Sequence, residues 1–303
     1  MTFGKGSAVE VDTTSAKGNF PLYTGIAPVT VVAVNPTAEE LSSIYGRKVE
    51  KIADYTGKNP EGKEYVRLDF ILKVADNFLK NKNISEPLFG KLTIFLMAGS
   101  VKNKDESKLK VINDYGQTQW VTAEIYQKMG LPVTNDGREM TDFLLPYKPC
   151  FAGEDDLVAF LRAYLSIDNP REKVGDQWVL ASKEKLEDCQ SSFSIDEIKQ
   201  MISGNISPVK NAIDIRSNNH VKVLFTVRVS PDNKKYQHVY SRYFVKAKVW
   251  DEGAENMFKG EIAKNQQSVS GMEFGYPFSE WKESPTDFMD IGVPDVSNVN
   301  PWA

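Results

Sequence analysis

Three stretches of this sequence alternate apolar and polar residues with a period of two. That pattern commits much of the chain to half-buried β-strands. Within 64–75, Val66, Leu68, Phe70, Leu72 and Val74 share one face, and Tyr65, Arg67, Asp69, Ile71 and Lys73 share the other. Within 91–98, Leu92, Ile94, Leu96 and Ala98 oppose Lys91, Thr93, Phe95 and Met97. The third stretch is a hairpin over 220–250. Val221, Val223, Phe225, Val227 and Val229 make the core face of its first arm, and Ser230-Pro231-Asp232-Asn233 turns the chain. On the return arm, Val239, Tyr243, Val245, Ala247 and Val249 face inward.

Shorter signals fill in the order. Val29–Val34 reads as a strand ended by Asn35-Pro36. Thr37-Ala38-Glu39-Glu40 is a capping box that opens a short helix running to Gly46. A charged loop over 102–108 leads into a strand at Leu109–Ile112, and 113–120 turns and returns as strand. Thr122–Met129 is a short helix stopped by Gly130. Leu157, Phe160, Leu161, Tyr164 and Leu165 then fall at helical spacing behind Glu154, Asp155 and Asp156, which suit the positive end of a helix dipole. Ser194-Ile195-Asp196-Glu197 is a second capping box. The segment 150–215 therefore reads as a helical insertion. Short strands, a helical segment and a final hairpin predict a β-rich α+β fold. The expected form is an OB-like Greek-key barrel with a helical insertion, with a sandwich as the alternative. Residues 1–20 read as a flexible arm, 21–270 as the core, and 271–303 as a flexible acidic tail.

Several chemistries lack their residues. No run approaches the roughly twenty apolar residues of a membrane span, and residues 1–20 lack the apolar region of a signal peptide. Cys150 and Cys189 make no disulfide framework and suit a reducing cytoplasm. With His220 and His238 they show no metal-ligand spacing, so no metal is expected. No glycine-rich phosphate loop occurs, and no cofactor is expected. Neither histidine has a nucleophile motif beside it, and Asp251, Glu252 and Glu255 read as a solvated loop. The expectation is a protein that is not an enzyme.

The outward face of the 220–250 hairpin carries the functional signal. It reads Tyr236, His238, Tyr240, Arg242, Phe244, Lys246 and Lys248, with Lys222, Leu224, Thr226 and Arg228 across the hairpin. Rings stack on bases for roughly 1–3 kcal/mol each, and cations replace counterions on phosphate. Residues 221–250 hold seven basic residues against Asp232 alone, a net of +6. Arg67 and Lys73 with Tyr65, and Lys91 with Phe95, extend the same surface. The overall charge of −4 hides this, because the tail from 271 holds six acidic residues and one base. Its acids alternate with aromatic anchors, and Asp287, Phe288, Asp290, Asp295 and Trp302 suit docking into basic, apolar grooves on partners.

Together these features resemble the single-stranded DNA-binding proteins of tailed phages. The resemblance lies in Leu22-Tyr23-Thr24-Gly25, Val32-Ala33-Val34-Asn35-Pro36-Thr37, Tyr115-Gly116-Gln117-Thr118-Gln119-Trp120, the 221–246 hairpin, and an acidic tail with Pro301-Trp302 beside its end. It implies an OB-fold protein that coats single-stranded DNA in replication, recombination and repair in the host cytoplasm. It also implies recruitment of replication proteins such as polymerase or helicase through the tail, with self-association along the strand. The chain lacks the Cys/His zinc site of some phage members. The alternative is a virion structural or decoration protein with a β-rich fold, which has no use for a basic, aromatic hairpin.

Overall fold

The computed structural model of the chain describes residues 23, 25–81, 84–113, 115–122, 147–165, 167–187, 189, 196–197, 200, 221–229, 235–240, 244–246, 254, 256 and 258–259. The elements begin with β1 (Gly25–Val34), α1 (Ala38–Tyr45), β2 (Thr56–Lys58), β3 (Glu64–Val74), α2 (Asp76–Asn81) and β4 (Phe89–Ser100). Next come β5 (Lys108–Asn113), β6 (Thr118–Thr122), β7 (Tyr147–Pro149), β8 (Phe151–Ala152) and α3 (Glu154–Tyr164). The last are β9 (Arg171–Val174), β10 (Gln177–Leu180), α4 (Lys183–Glu187), β11 (Val221–Val229), β12 (Lys235–Val239) and β13 (Val245–Lys246). The chain divides into two compact units. One comprises Met1–Thr93 with Arg216–Ala303, the other Ile94–Ile215. The helix expected after Thr122, the capping box at Ser194, the N-terminal arm and the acidic tail lie outside the described residues.

The main sheet runs β12-β11-β1-β3-β4-β8, with β13 also on β11 and β2 on β3. It is an open sheet, and no pairing among the described residues joins its two ends. The expected OB-like barrel is therefore wrong, while the β-rich α+β character stands. Closure needs a particular tilt and stagger around the whole sheet, which alternation within single strands does not encode. Two separate sheets accompany it, the β9–β10 hairpin and the three-stranded β6-β5-β7.

In the first unit, β1 lies between β11 and β3, antiparallel to both. Eight of its ten residues are buried, as befits a central strand covered on both faces. A bulge between Val31 and Ala33 shifts its register on β3. Asn35 then leaves the strand with φ +48, a conformation that asparagine tolerates better than most residues. The capping box forms as expected. Thr37 Oγ1 accepts from Glu40 N at 3.2 Å, and Thr37 N donates to Glu40 Oε2 at 2.6 Å.

The two faces of β11 are both core. On one, Phe225 meets the Tyr23 ring edge-on at 6.2 Å, and Tyr23 meets Phe78 of α2 at 5.8 Å. Gly90 of β4 belongs to this side, since a Cβ there would lie 2.5 Å from Phe225 Cε1 and 2.6 Å from Val239 Cγ2. On the other, Ile26, Leu224, Val245, Ala254 and Phe258 form a second cluster, with Tyr240 packed against it. The return arm is not one strand. Val239 pairs with Phe225, whereas Val245 pairs with Lys222, so these two valines occupy opposite faces. The uninterrupted inward face expected from Val239 to Val249 is broken at this point.

The second unit packs α3 beside its small sheet. Ile112, Cys150 and Val158 cluster on one side of β5, and Val111, Val121 and Tyr147 on the other. The acids opening α3 do more than meet its dipole. Glu154 pairs with Lys148 at 3.0 Å, and Asp155 pairs with Lys110. Arg162 near the helix end donates to the carbonyls of Tyr115 at 2.7 Å and Cys189 at 2.9 Å. Among the described residues, no helix is long and apolar enough to cross a membrane.

Candidate nucleic-acid interface

The face expected to bind strands on the 220–250 hairpin is largely covered. Lys222 is 0% exposed, between Pro28 of β1 and Val245 of β13. Phe244 is buried, and Tyr240 packs on the Ile26–Phe258 cluster. Lys222 and Phe244 therefore lack the exposure expected of them, and Tyr240 is half-buried. The cover arrives from residues 254 and 258, beyond the reach of any periodicity in the hairpin itself. Arg228, Tyr236 and Lys246 have strand backbone, but their side chains lie outside the described set. Arg242, Lys248 and the tail residues Asp287, Phe288, Asp290, Asp295 and Trp302 lie outside the described residues.

The β3–β4 face does gather charge and rings. Arg67 donates from Nε to Asp69 Oδ1 at 2.8 Å and from Nη2 to Oδ2 at 2.7 Å. Thr93 Oγ1 adds a bond to Oδ1 at 2.7 Å, and Lys91 Nζ stands 3.7 Å from Oδ2. Asn35 holds the backbone beneath this group. Its Nδ2 donates to Arg67 O at 3.1 Å, and its Oδ1 accepts from Asp69 N at 2.8 Å. Arg67 is thus buried and committed to Asp69, which corrects its expected role as an exposed phosphate ligand. Lys73 bonds Asp76 at 3.0 Å.

Lys91 is the accessible cation of the group, with its side chain 32% exposed. Burial lowers its affinity for the proton, Asp69 raises it, and the Arg67 charge lowers it again. Nearby, the Arg47 guanidinium lies over the Tyr45 ring, 5.7 Å from its centroid, and Phe89 of β4 meets that ring edge-on at 5.3 Å. Burial pushes the Tyr45 hydroxyl up to about 12, against the pull of Arg47 and with the help of Asp69. Tyr55 donates to Pro36 O at 2.6 Å; burial first, then Asp69, raise its proton affinity well above the ordinary tyrosine value.

Charge divides between the units. Outside the tail, the first unit holds 22 basic and 16 acidic residues, a net of +6; the second holds 14 and 19, a net of −5. Apolar exposure divides the other way. Phe95, Trp120, Phe151, Val174, Trp178 and Val179, the exposed large hydrophobics among the described residues, all belong to the second unit. Phe95 is exposed as expected, yet falls in a different unit from Lys91. Trp120 pairs across β5–β6 with Lys110, and Trp178 pairs across β9–β10 with Lys173.

Sequence reasoning missed that second pair. Its available signal was Gly175-Asp176, a two-residue hairpin turn between Arg171–Val174 and Gln177–Leu180. Among the described residues, no group of three or more His, Cys, Asp or Glu is placed to hold a metal ion. No family model, no curated protein and no solved structure matches this chain.

Proposed function

We propose that the chain binds single-stranded DNA without sequence preference and without catalysis. The observation that supports this best is Lys91 on the β3–β4 face, with Arg47 over Tyr45 and Tyr45 against Phe89 of β4, in a unit that carries +6 outside its tail. A guanidinium held over a ring forms a cation–π pair to which a base adds as a further aromatic partner. Lys91 is tethered by Asp69 but one-third exposed, and on this reading it pairs with a backbone phosphate. The resemblance to phage single-stranded DNA-binding proteins points the same way. On that reading the protein coats exposed strands during replication, recombination and repair. Its tail, with Asp287, Phe288, Asp290, Asp295 and Trp302, engages replication partners such as polymerase or helicase.

The test is a titration of the full chain with labelled oligo-dT at low and high salt, followed by anisotropy. Binding that weakens steeply with salt is expected, with Lys91→Ala reducing the salt slope by about one. Absence of binding at low salt, for both the full chain and a form ending at residue 270, refutes the reading.

A further inference from the structure

We infer a second single-strand contact, the β9–β10 hairpin, in which Trp178 stacks on a base and Lys173 and Arg171 meet phosphate. This rests on the single-strand reading above and adds a site to it. Trp178 is 62% exposed, the most exposed aromatic residue among those described. A tryptophan carries a large apolar surface that folding ordinarily removes from water. Here the hairpin pairs with no other strand among the described residues, and Trp178 stays outside.

The register sorts the hairpin into two chemically distinct faces. Trp178 lies opposite Lys173, and Leu180 lies opposite Arg171. Directly opposed side chains have Cβ atoms about 4.5–5.5 Å apart, and diagonal ones about 7–8 Å. Both cations therefore flank the indole on one face. The other face holds Glu172, Val174, Gln177 and Val179, and Glu172 is paired with Lys185 of α4. The acid in β9 is thus turned away from the indole and compensated. Burial raises the proton affinity of the Tyr147 hydroxyl of β7, and the Arg171 charge pulls it back down.

The ring and the two cations together fit a single strand rather than a duplex. A ring on a hairpin reaches the face of an unpaired base, whereas stacked pairs present only edges and backbone. The unit's net charge of −5 sets the balance within the contact. Stacking supplies most of its affinity, and the cations orient the strand.

The test compares full-length Trp178→Ala, Trp178→Phe and Lys173→Ala with the parent chain, using anisotropy of labelled oligo-dT across salt. Trp178→Ala is expected to weaken binding about 5- to 150-fold with the salt slope unchanged, and Trp178→Phe to recover most of it. Lys173→Ala should lower the slope by about one. Thermal melting should be unchanged, because Trp178 is exposed. Parent binding with equal affinity in Trp178→Ala overturns the hairpin contact alone. Failure of the parent chain to bind removes the underlying reading and the hairpin with it. If Trp178→Ala instead abolishes a concentration-dependent oligomer in sedimentation while DNA affinity is unchanged, the indole docks protein and the inference is wrong.

Discussion

Arg67 closes its guanidinium fork on Asp69, two residues along the same strand, with contacts of 2.8 and 2.7 Å and both side chains nearly buried. Neighbours at i and i+2 share a strand face, so the arginine must fold back along β3 to reach its partner. Lys91 and Thr93 of β4 approach the same carboxylate. Asp69 therefore stands between two cations that would otherwise repel each other in a poorly hydrated corner. Asp69→Asn keeps the shape and removes the charge. Breaking a buried pair from one side costs about 3–5 kcal/mol, and urea unfolding should show a loss of that order. A loss under about 1 kcal/mol, the scale of an exposed pair, would mean that water reaches Arg67 freely.

The two tyrosines beside this corner predict a limit at high pH. The folded value of Tyr45 is raised to about 12, and Tyr55 is raised as well, with burial the first cause in both. Below the unfolded tyrosine value near 10 both states carry the proton, and the stabilising contribution is complete. Between about 10 and 12 the unfolded chain ionises while the folded one does not, so stability falls as pH rises. Denaturant midpoints should hold steady to about pH 9 and drop beyond 10. Tyr45→Phe should flatten part of that drop, with absorbance at the tyrosinate band following ionisation. An unchanged slope in Tyr45→Phe and Tyr55→Phe would place the titration elsewhere.

Gly90 supplies a steric prediction. Its missing Cβ is the space that Phe225 and Val239 occupy, at 2.5 and 2.6 Å from where that atom would stand. Both neighbours are buried in the core and have little room to retreat. Gly90→Ala should cost about 1–3 kcal/mol by overpacking, measured as a lower melting temperature. In contrast, a Cβ at Gly62 meets nothing within 4 Å. Any cost at Gly62 comes from its φ of +79 alone, so the two substitutions separate crowding from backbone strain.

Local signals were read correctly where their partners are local. The Thr37–Glu40 box closes within four residues, and the alternation over 64–75 becomes β3. Asn35-Pro36 ends β1, although the sequence did not reveal that the Asn35 side chain would then hold the backbone of β3. Failures follow from distance along the chain. Lys222, Leu224 and Tyr240 alternate like an exposed face, but Ala254 and Phe258 cover that face. Similarly, Arg67 reads as a surface cation until Asp69, Thr93 and Lys91 are seen together. The β9–β10 hairpin falls inside the expected helical insertion, because its four-residue arms are too short to display a period and the first is mostly charged. Its glycine turn was the better guide.

The second core gives the sharpest choice between cover and interface. Phe258 is fully buried against Ile26, Leu224 and Val245, and Tyr240 leans on the same cluster. If this side of β11 is interior, Phe258→Ala opens a cavity and costs about 3–5 kcal/mol. Tyr240→Ala then costs less, because the ring is only half-buried, and it leaves oligo-dT affinity unchanged once corrected for the folded fraction. If the side is instead a strand-binding surface, Tyr240→Ala weakens DNA binding by roughly 1–3 kcal/mol while the melting temperature stays put. Calorimetry and anisotropy on the same two variants separate these outcomes, because one scenario moves stability alone and the other moves affinity alone. Tyr240 N donates a hydrogen bond to Leu224 O at 2.9 Å, which holds the residue against β11 through its backbone and favours the first.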